Sequence, residues 1–269
     1  MVNNSLEICW VLQKNLTPKP VLEQIKIALE EQAIGYKEVT VVPFSNELPQ
    51  GLDLNKFNVF YGSTTLMMNA YQNEQTKAGI FYEPALFSMS NYLKQWGRSL
   101  FNTDAQFFTF QELRAQRLPD NSQWFIRPNG DTKAFGGTLM TFGEIKSWYD
   151  KIAHLPESVV QPSTEVMIAP PKIPAKEWRC FIVNKQIVGA CRYAWDGTLA
   201  VDSQDIPEEM QAFVQTCIDQ YTPHPIFVMD IALYEHKYYL LECGCMNSTG
   251  FYKTAITPVI KAVNDALLK

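Results

Sequence analysis

Apolar positions recur along the first hundred or so residues with two different spacings. Residues 6–12, LEICWVL, form a short apolar run of strand length. Residues 20–33, PVLEQIKIALEEQA, set apolar side chains three and four apart, with Pro20 near the start and Gly35 just past the end, so a helix is predicted there. Strands are predicted again over 38–44, 57–64 and 79–82, with helices near Leu66–Tyr71 and Met89–Trp96. This alternation predicts a small parallel α/β unit over 1–104. Gly62, Ser63 and Thr64, just after a strand, either line a cleft at its carboxyl end or make a tight turn.

Residues 103–117 are read as a link, after which strands dominate. The predicted elements are a strand over 122–128, a Gly-rich loop near 129–138, a helix near 142–152 and an apolar strand ending in Pro170 and Pro171. A hairpin follows over 176–194 with Asn184 and Lys185 at its turn, then a helix over 207–221, a second hairpin over 226–247 and a helix over 256–268. The fold class is α/β (α+β), with a second domain over 105–269. Neither an internal repeat nor a low-complexity segment interrupts the pattern.

Composition narrows the class. The 269 residues are 46% hydrophobic and 19% charged, as in a globular protein. A net charge of −5 argues against nonspecific nucleic-acid binding, which needs a basic surface. The apolar runs are too short to span a membrane, and the first residues lack a basic start and a long apolar core, so a cytoplasmic protein is expected. The six cysteines mostly sit in apolar strands, and the three histidines lack zinc-ligand spacing, so reduced buried thiols are expected rather than zinc.

The last hairpin carries the strongest chemical signal. Asp230 and Glu242 each interrupt an apolar strand, and Asn247 follows. A buried carboxylate is costly unless it is paired or bound to a metal, and two on neighbouring strands repel unless a cation lies between them. Mg²⁺ takes hard oxygen ligands, commonly one or two carboxylates plus substrate phosphates. Arg127 closes a strand and Lys133 lies in the loop with Gly130, Gly136 and Gly137; the segment either folds over phosphates or makes a turn with solvated charges. The strand from Glu165 through Val166, Met167 and Ile168 ends in prolines; its backbone either meets an adenine edge or lies at a sheet edge. Glu177, Arg179 and Phe181 share one strand face, and a simple two-residue turn sets Arg192 opposite Glu177. The two arginines either bind an anion or pair across the strands with Glu177.

In order, these elements resemble the ATP-grasp superfamily. The resemblance covers residues 105–269 motif by motif, best in DIALYEHKYYLLE with NSTGFY, and 1–104 by architecture alone as a pre-ATP-grasp-like domain. It implies ATP and Mg²⁺ as cofactors, with Asp230, Glu242 and Asn247 as metal ligands. It implies Arg127 and Lys133 at the phosphates, and Glu165 with the backbone of Val166, Met167 and Ile168 at the adenine. Glu177 then holds the ribose, and Arg179 and Arg192 hold the γ-phosphate or an acyl phosphate. Arginine stands at 127 where most members have lysine, and Gly244 where Glu-x-Asn members have asparagine. Both departures are similar to a divergent clade that includes phage and bacterial proteins and the cell-division-cycle type assembly factors for translation initiation. The implied activity is a carboxylate–amine ligase working through an acyl phosphate on an unidentified carboxylate and amine, extending to a peptide or protein. An assembly factor that clamps a partner protein, or a kinase or nucleotidyl transferase, are the alternatives.

Overall fold

The computed structural model describes residues 7–43, 45–131, 134–155 and 158–269. Near the N-terminus, β1 (Ile8–Gln13), β2 (Gly35–Val39) and β3 (Phe57–Tyr61) form a parallel sheet in the order β2-β1-β3. The helix α1 (Lys19–Glu30) lies between the first two. The second strand thus begins at Gly35, before the predicted 38–44, and the expected strand 79–82 is instead a 3-10 turn over Lys77–Gly79 followed by irregular buried chain. The next helices are α2 (Thr64–Gln72) and α3 (Met89–Trp96), N-capped by Ser63 and Ser88, whose hydroxyls accept the Leu66 and Asn91 N–H groups.

A four-stranded antiparallel sheet follows, in the order β4-β7-β5-β6, from β4 (Gln106–Thr109), β5 (Gln123–Pro128), β6 (Thr138–Thr141) and β7 (Glu165–Ala169). The helices α4 (Phe110–Arg114) and α5 (Phe142–Ile152) pack on it through Phe110, Phe142 and Ile145 against Ile126, Val166 and Ile168. Each begins with a capping box, Thr109 with Glu112 and Thr141 with Glu144, which satisfies backbone donors at the helix start. The segment 103–117 is therefore part of this layer, and β6 was not foreseen.

The largest sheet has five strands in the order β10-β9-β8-β11-β12. These are β8 (Lys176–Val183), β9 (Gln186–Trp195), β10 (Thr198–Asp202), β11 (Ile226–Tyr234) and β12 (Lys237–Gly244). Both predicted hairpins form, with turns at Asn184–Lys185 and Glu235–His236 whose residues all have positive φ, as two-residue hairpin turns of this hand require. Helix α6 (Glu208–Gln220) covers one face through Met210, Val214 and Cys217 on Trp178, Phe227 and Met229. Helix α7 (Ile256–Leu267) covers the other through Val259 and Ile260 on Phe181 and Val228. The same core takes in Trp10 and Leu12 of β1 and Leu22 and Ile25 of α1, and the Trp10 indole donates to Asn264 on α7 (2.9 Å). Apolar packing is thus continuous from the N-terminal sheet to the last helix.

Candidate active site

The strands β8, β11 and β12 carry three charges in one transverse row. Asp230 on β11 stands directly opposite Arg179 on one side and Glu242 on the other, so all three point to the same face, the α7 side. A β-bulge makes this possible. Ile231 pairs with Leu240 but Asp230 pairs with Glu242, so Leu241 is an extra residue in β12. In an unbulged hairpin Leu241 faces Asp230 and Glu242 turns toward the α6 core. The extra residue brings the second carboxylate beside the first.

Each carboxylate carries an arginine. The Arg179 fork grips Asp230 through Nε (2.9 Å) and Nη2 (2.7 Å), and its Nη1 donates to the Gly250 carbonyl (3.3 Å). Arg127, from β5 of the facing sheet, reaches Glu242 with Nη2 (2.5 Å). The row therefore runs Arg127, Glu242, Asp230, Arg179. Its inner end is the drier: the Asp230 side chain is 4% exposed and that of Glu242 31%. Burial opposes both guanidinium charges, but their carboxylate partners more than offset it, and both pKa values lie above the ordinary arginine value.

Two cavities of about 210 Å³ flank the Arg127–Glu242 pair. One is lined by Arg127, Asp131, Gly136, Gly137 and Glu242, and the other by Phe101, Lys172, Glu177, Tyr193, Leu241 and again Arg127 and Glu242. Larger hollows, about 790 Å³ beside α5 and about 620 Å³ near Ser88 and Asn129, do not touch this row. In the first cavity Gly137 lets the loop lie on β5: a Cβ there would come within 2.6 Å of the Phe125 ring. Lys133, expected in this loop, lies outside the described residues. In the second, the Tyr193 hydroxyl donates to Glu177 (2.7 Å), and its ring stacks on Tyr252 at 5.0 Å. The Arg179 guanidinium lies 5.8 and 5.2 Å from those two rings. Burial pushes the Glu177 carboxyl up from its usual value; the Tyr193 hydrogen bond opposes this, and the charges of Asp230 and Glu242 add to it.

The structure thus brings together Arg127, Glu177, Arg179, Asp230 and Glu242. It turns the expected residues Asn247 and Arg192, and the strand from Glu165 to Ile168, elsewhere. Asn247 is 2% exposed; its amide donates to Phe60 O (2.7 Å) and Gly79 O (2.9 Å), and its oxygen accepts the Phe81 N–H (2.7 Å). Those bonds turn it toward the N-terminal unit. Arg192 pairs opposite Trp178 rather than Glu177, because a bulge between Phe181 and Ile182 shifts the β8–β9 register by one residue. It therefore faces away from the row and pairs with Asp202 (3.3 Å) and Asp205 (2.8 Å). The expected free backbone at Val166, Met167 and Ile168 is also corrected: β4 and β5 pair with the two edges of β7, so this is an inner strand. Glu165 accepts from Asn129 (2.9 Å) at the end of β7 away from the prolines and opens on the 620 Å³ hollow.

Sequence reasoning missed Asp131, Tyr193 and Lys172. Asp131 is 7% exposed, and its Oδ2 accepts the Cys245 N–H (3.1 Å). It also lies 3.4 Å from where a Cβ on Gly244 would be, so the glycine admits this carboxylate to the end of β12. The signal was an acidic residue in a short loop after a buried strand, which sequence alone cannot tell from a solvated turn.

Paired oxygens on Asp230 and Glu242, arginines on both sides and glycine backbone above suit a divalent ion carried by phosphates. Among the described residues no group of three or more His, Cys, Asp or Glu is arranged to hold a metal.

Residues 66–264 match the model of an ATP-grasp domain family, family 3 of its clade. Among solved structures, D-cycloserine synthetase DcsG superposes with a TM-score of 0.63 at 11% identity, covering 97% of this chain and 99% of that one. D-alanine–D-alanine ligase from Bacillus anthracis complexed with ATP gives 0.58 at 12% identity, covering 98% and 97%. The ATP-grasp ligase PsnB, complexed with a phosphomimetic variant of its minimal precursor, Mg and ADP, gives 0.54 at 11% identity, covering 97% and 98%. A search of curated proteins finds no match.

Proposed function

The chain belongs to the ATP-grasp superfamily, in the clade of the matching family model, and from that premise we propose a carboxylate–amine ligase whose reaction runs through an acyl phosphate. It is an ATP- and Mg²⁺-dependent enzyme of the ATP-grasp ligase type. The observation that carries the proposal is the row Arg127, Glu242, Asp230, Arg179, whose Arg127–Glu242 end lies between two cavities. Asp230 and Glu242 hold the divalent ion, and Arg127 and Arg179 turn to the phosphates, assisted by Lys133. Bound there, Mg²⁺ neutralises charge on the phosphoryl group in transfer. Glu177 and Tyr193 take the ribose side of the second cavity, where the raised Glu177 pKa and the Tyr193 hydroxyl favour hydrogen bonding to a neutral diol.

Residues 105–269 hold the nucleotide, and the acceptor enters between them and residues 1–104. The support is local. The Gly62 N–H bonds Asn247 O (2.9 Å), and the Tyr61 hydroxyl bonds Thr249 O (2.8 Å), so the carboxyl end of β3 abuts the loop that holds Gly250 against Arg179. A substrate carboxylate seated there attacks the γ-phosphate, ADP leaves, and an amine displaces the phosphate. Arg179 stabilises the transferring group, so catalysis is electrostatic and positional and needs no protein nucleophile. The phosphomimetic precursor held by PsnB supports a phosphorylated acceptor and extends the substrate class to peptides. Among the described residues no helix is long and apolar enough to cross a membrane. Cys9, Cys180, Cys191, Cys217 and Cys243 are free thiols, which suits a reducing cytoplasm.

Asp230→Asn and Glu242→Gln are expected to lower ADP release to background in the presence of a competent acceptor. Near-normal turnover in both variants would remove the metal role. ADP with a phosphorylated acceptor, and no amide on adding amines, would identify a kinase instead.

A further inference from the structure

We propose that Arg127 and Arg179 determine the form in which the divalent ion is accepted: they occupy the cation positions of Glu242 and Asp230, so the site refuses free metal and takes it only with nucleotide phosphates. This rests on the reading of those carboxylates as metal ligands.

The geometry sets two guanidinium groups against two carboxylates, so these four described side chains balance in charge. Each arginine is anchored on a different sheet, Arg127 on β5 and Arg179 on β8, and the carboxylates lie side by side on β11 and β12 between them. The Arg179–Asp230 pair is bidentate and nearly dry, with side chains 15% and 4% exposed. An ion arriving alone must eject both guanidinium groups from their carboxylates and brings no anion of its own to receive them. Removing one partner of a buried pair is strongly destabilising because it strands the other charge. An ion arriving with a polyphosphate brings its own exchange. The guanidinium forks move to phosphate oxygens, which match them as well as carboxylates do, and the freed carboxylates turn to the metal. Each of these charged groups exchanges one opposite charge for another, and no covalent bond is made or broken. By linkage, whatever nucleotide adds to metal affinity, metal adds to nucleotide affinity.

The experiment titrates Mn²⁺ into the full chain without nucleotide and follows free Mn²⁺ by its paramagnetic resonance. Wild type is expected to show no saturable site at concentrations that fill the site in Arg127→Met. The difference in affinity should fall in the roughly 5- to 150-fold range of ordinary inter-site coupling. Glu242 is the more exposed carboxylate, so this variant is the one expected to keep its fold. Adding Glu242→Gln should abolish the gain. Arg179→Met supplies a second readout: Mn²⁺ without nucleotide should raise its melting temperature and leave that of wild type unchanged. Tight Mn²⁺ binding by wild type without nucleotide, or a folded Arg127→Met that gains none, overturns the proposal. A parallel titration with a non-hydrolysable ATP analogue and Mn²⁺ tells the two layers apart. Analogue binding alongside either negative result sinks this proposal alone, whereas no analogue binding in any protein removes the nucleotide site beneath it.

Discussion

Asn247 spends its side chain on three backbone groups of the N-terminal unit: the Phe60 and Gly79 carbonyls and the Phe81 N–H. Its motif position suggested a metal ligand, but the amide is committed to joining β3, the following turn and the 3-10 turn over Met246–Ser248. Leaving a buried polar group unpaired costs about 1–3 kcal/mol. Asn247→Ala is therefore expected to lose at least that much stability in urea unfolding and to keep its affinity for an ATP analogue with Mg²⁺. A loss of nucleotide affinity at unchanged stability would restore the ligand role. Arg192 teaches the same lesson: it is equally arginine in the sequence, yet its partners are Asp202 and Asp205 on the far face of the sheet.

At the scale of elements, single-residue bulges decide which side chains enter the cleft. Leu241 in β12 and the irregularities of β8 with β9 each move the following residues to the opposite face, because side chains alternate along a strand. Tight approach between elements is the other device. A Cβ on Gly79 would lie 1.6 Å from the Asn58 carbonyl oxygen of β3, a backbone atom that cannot step aside. Gly79→Ala is expected to cost more than the ~3 kcal/mol at the top of the usual over-packing range. A Cβ on Gly136 meets no atom of the described residues within 4 Å, and its alanine variant should stay within about 0.5 kcal/mol of wild type. Chemical denaturation of the two variants checks the contrast, and equal midpoints would refute it.

Across the whole molecule, the N-terminal sheet and the five-stranded sheet share one apolar core, with α1 and α7 inside it. His224 sits at that junction, its ring 5.7 Å from Phe81 and its Nδ1 accepting the Ile226 N–H (3.0 Å). Burial lowers its pKa below 6.5, and the contact of the ring with the Ile226 carbonyl (2.9 Å), which favours the protonated form, only partly opposes the shift. A lowered pKa means that the folded state resists protonation. The contribution is present above pH 6.5 and is lost as pH falls from 6.5 through the folded-state value. Glu177, with its raised pKa, acts in the opposite sense as pH rises above 4.5, so wild type must be compared with His224→Gln. The melting temperature of wild type is expected to fall more steeply than that of the variant on acidification below pH 6.5. Parallel curves would exclude His224 as the cause.

Much of this was legible in the chain. Apolar periodicity located α1, α3, α5, α6 and α7 and both long hairpins, because burial of one helical face or of whole strands leaves a local pattern. The short strands β4, β6 and β10 left none: at four or five residues, part exposed, they owe their existence to the neighbours that pair with them. The candidate site divides in the same way. Asp230, Glu242, Arg127 and Arg179 stood out as charges within apolar strands, since a dry charge needs a partner wherever it lies. Which partner it finds depends on register, and register on bulges and on a facing sheet more than a hundred residues away in the chain. Composition and pattern were enough for the charged residues and their chemistry. Their alignment into one row, with Asn247 and Arg192 turned elsewhere, required the packed fold, because side-chain direction in a sheet is set by long-range pairing.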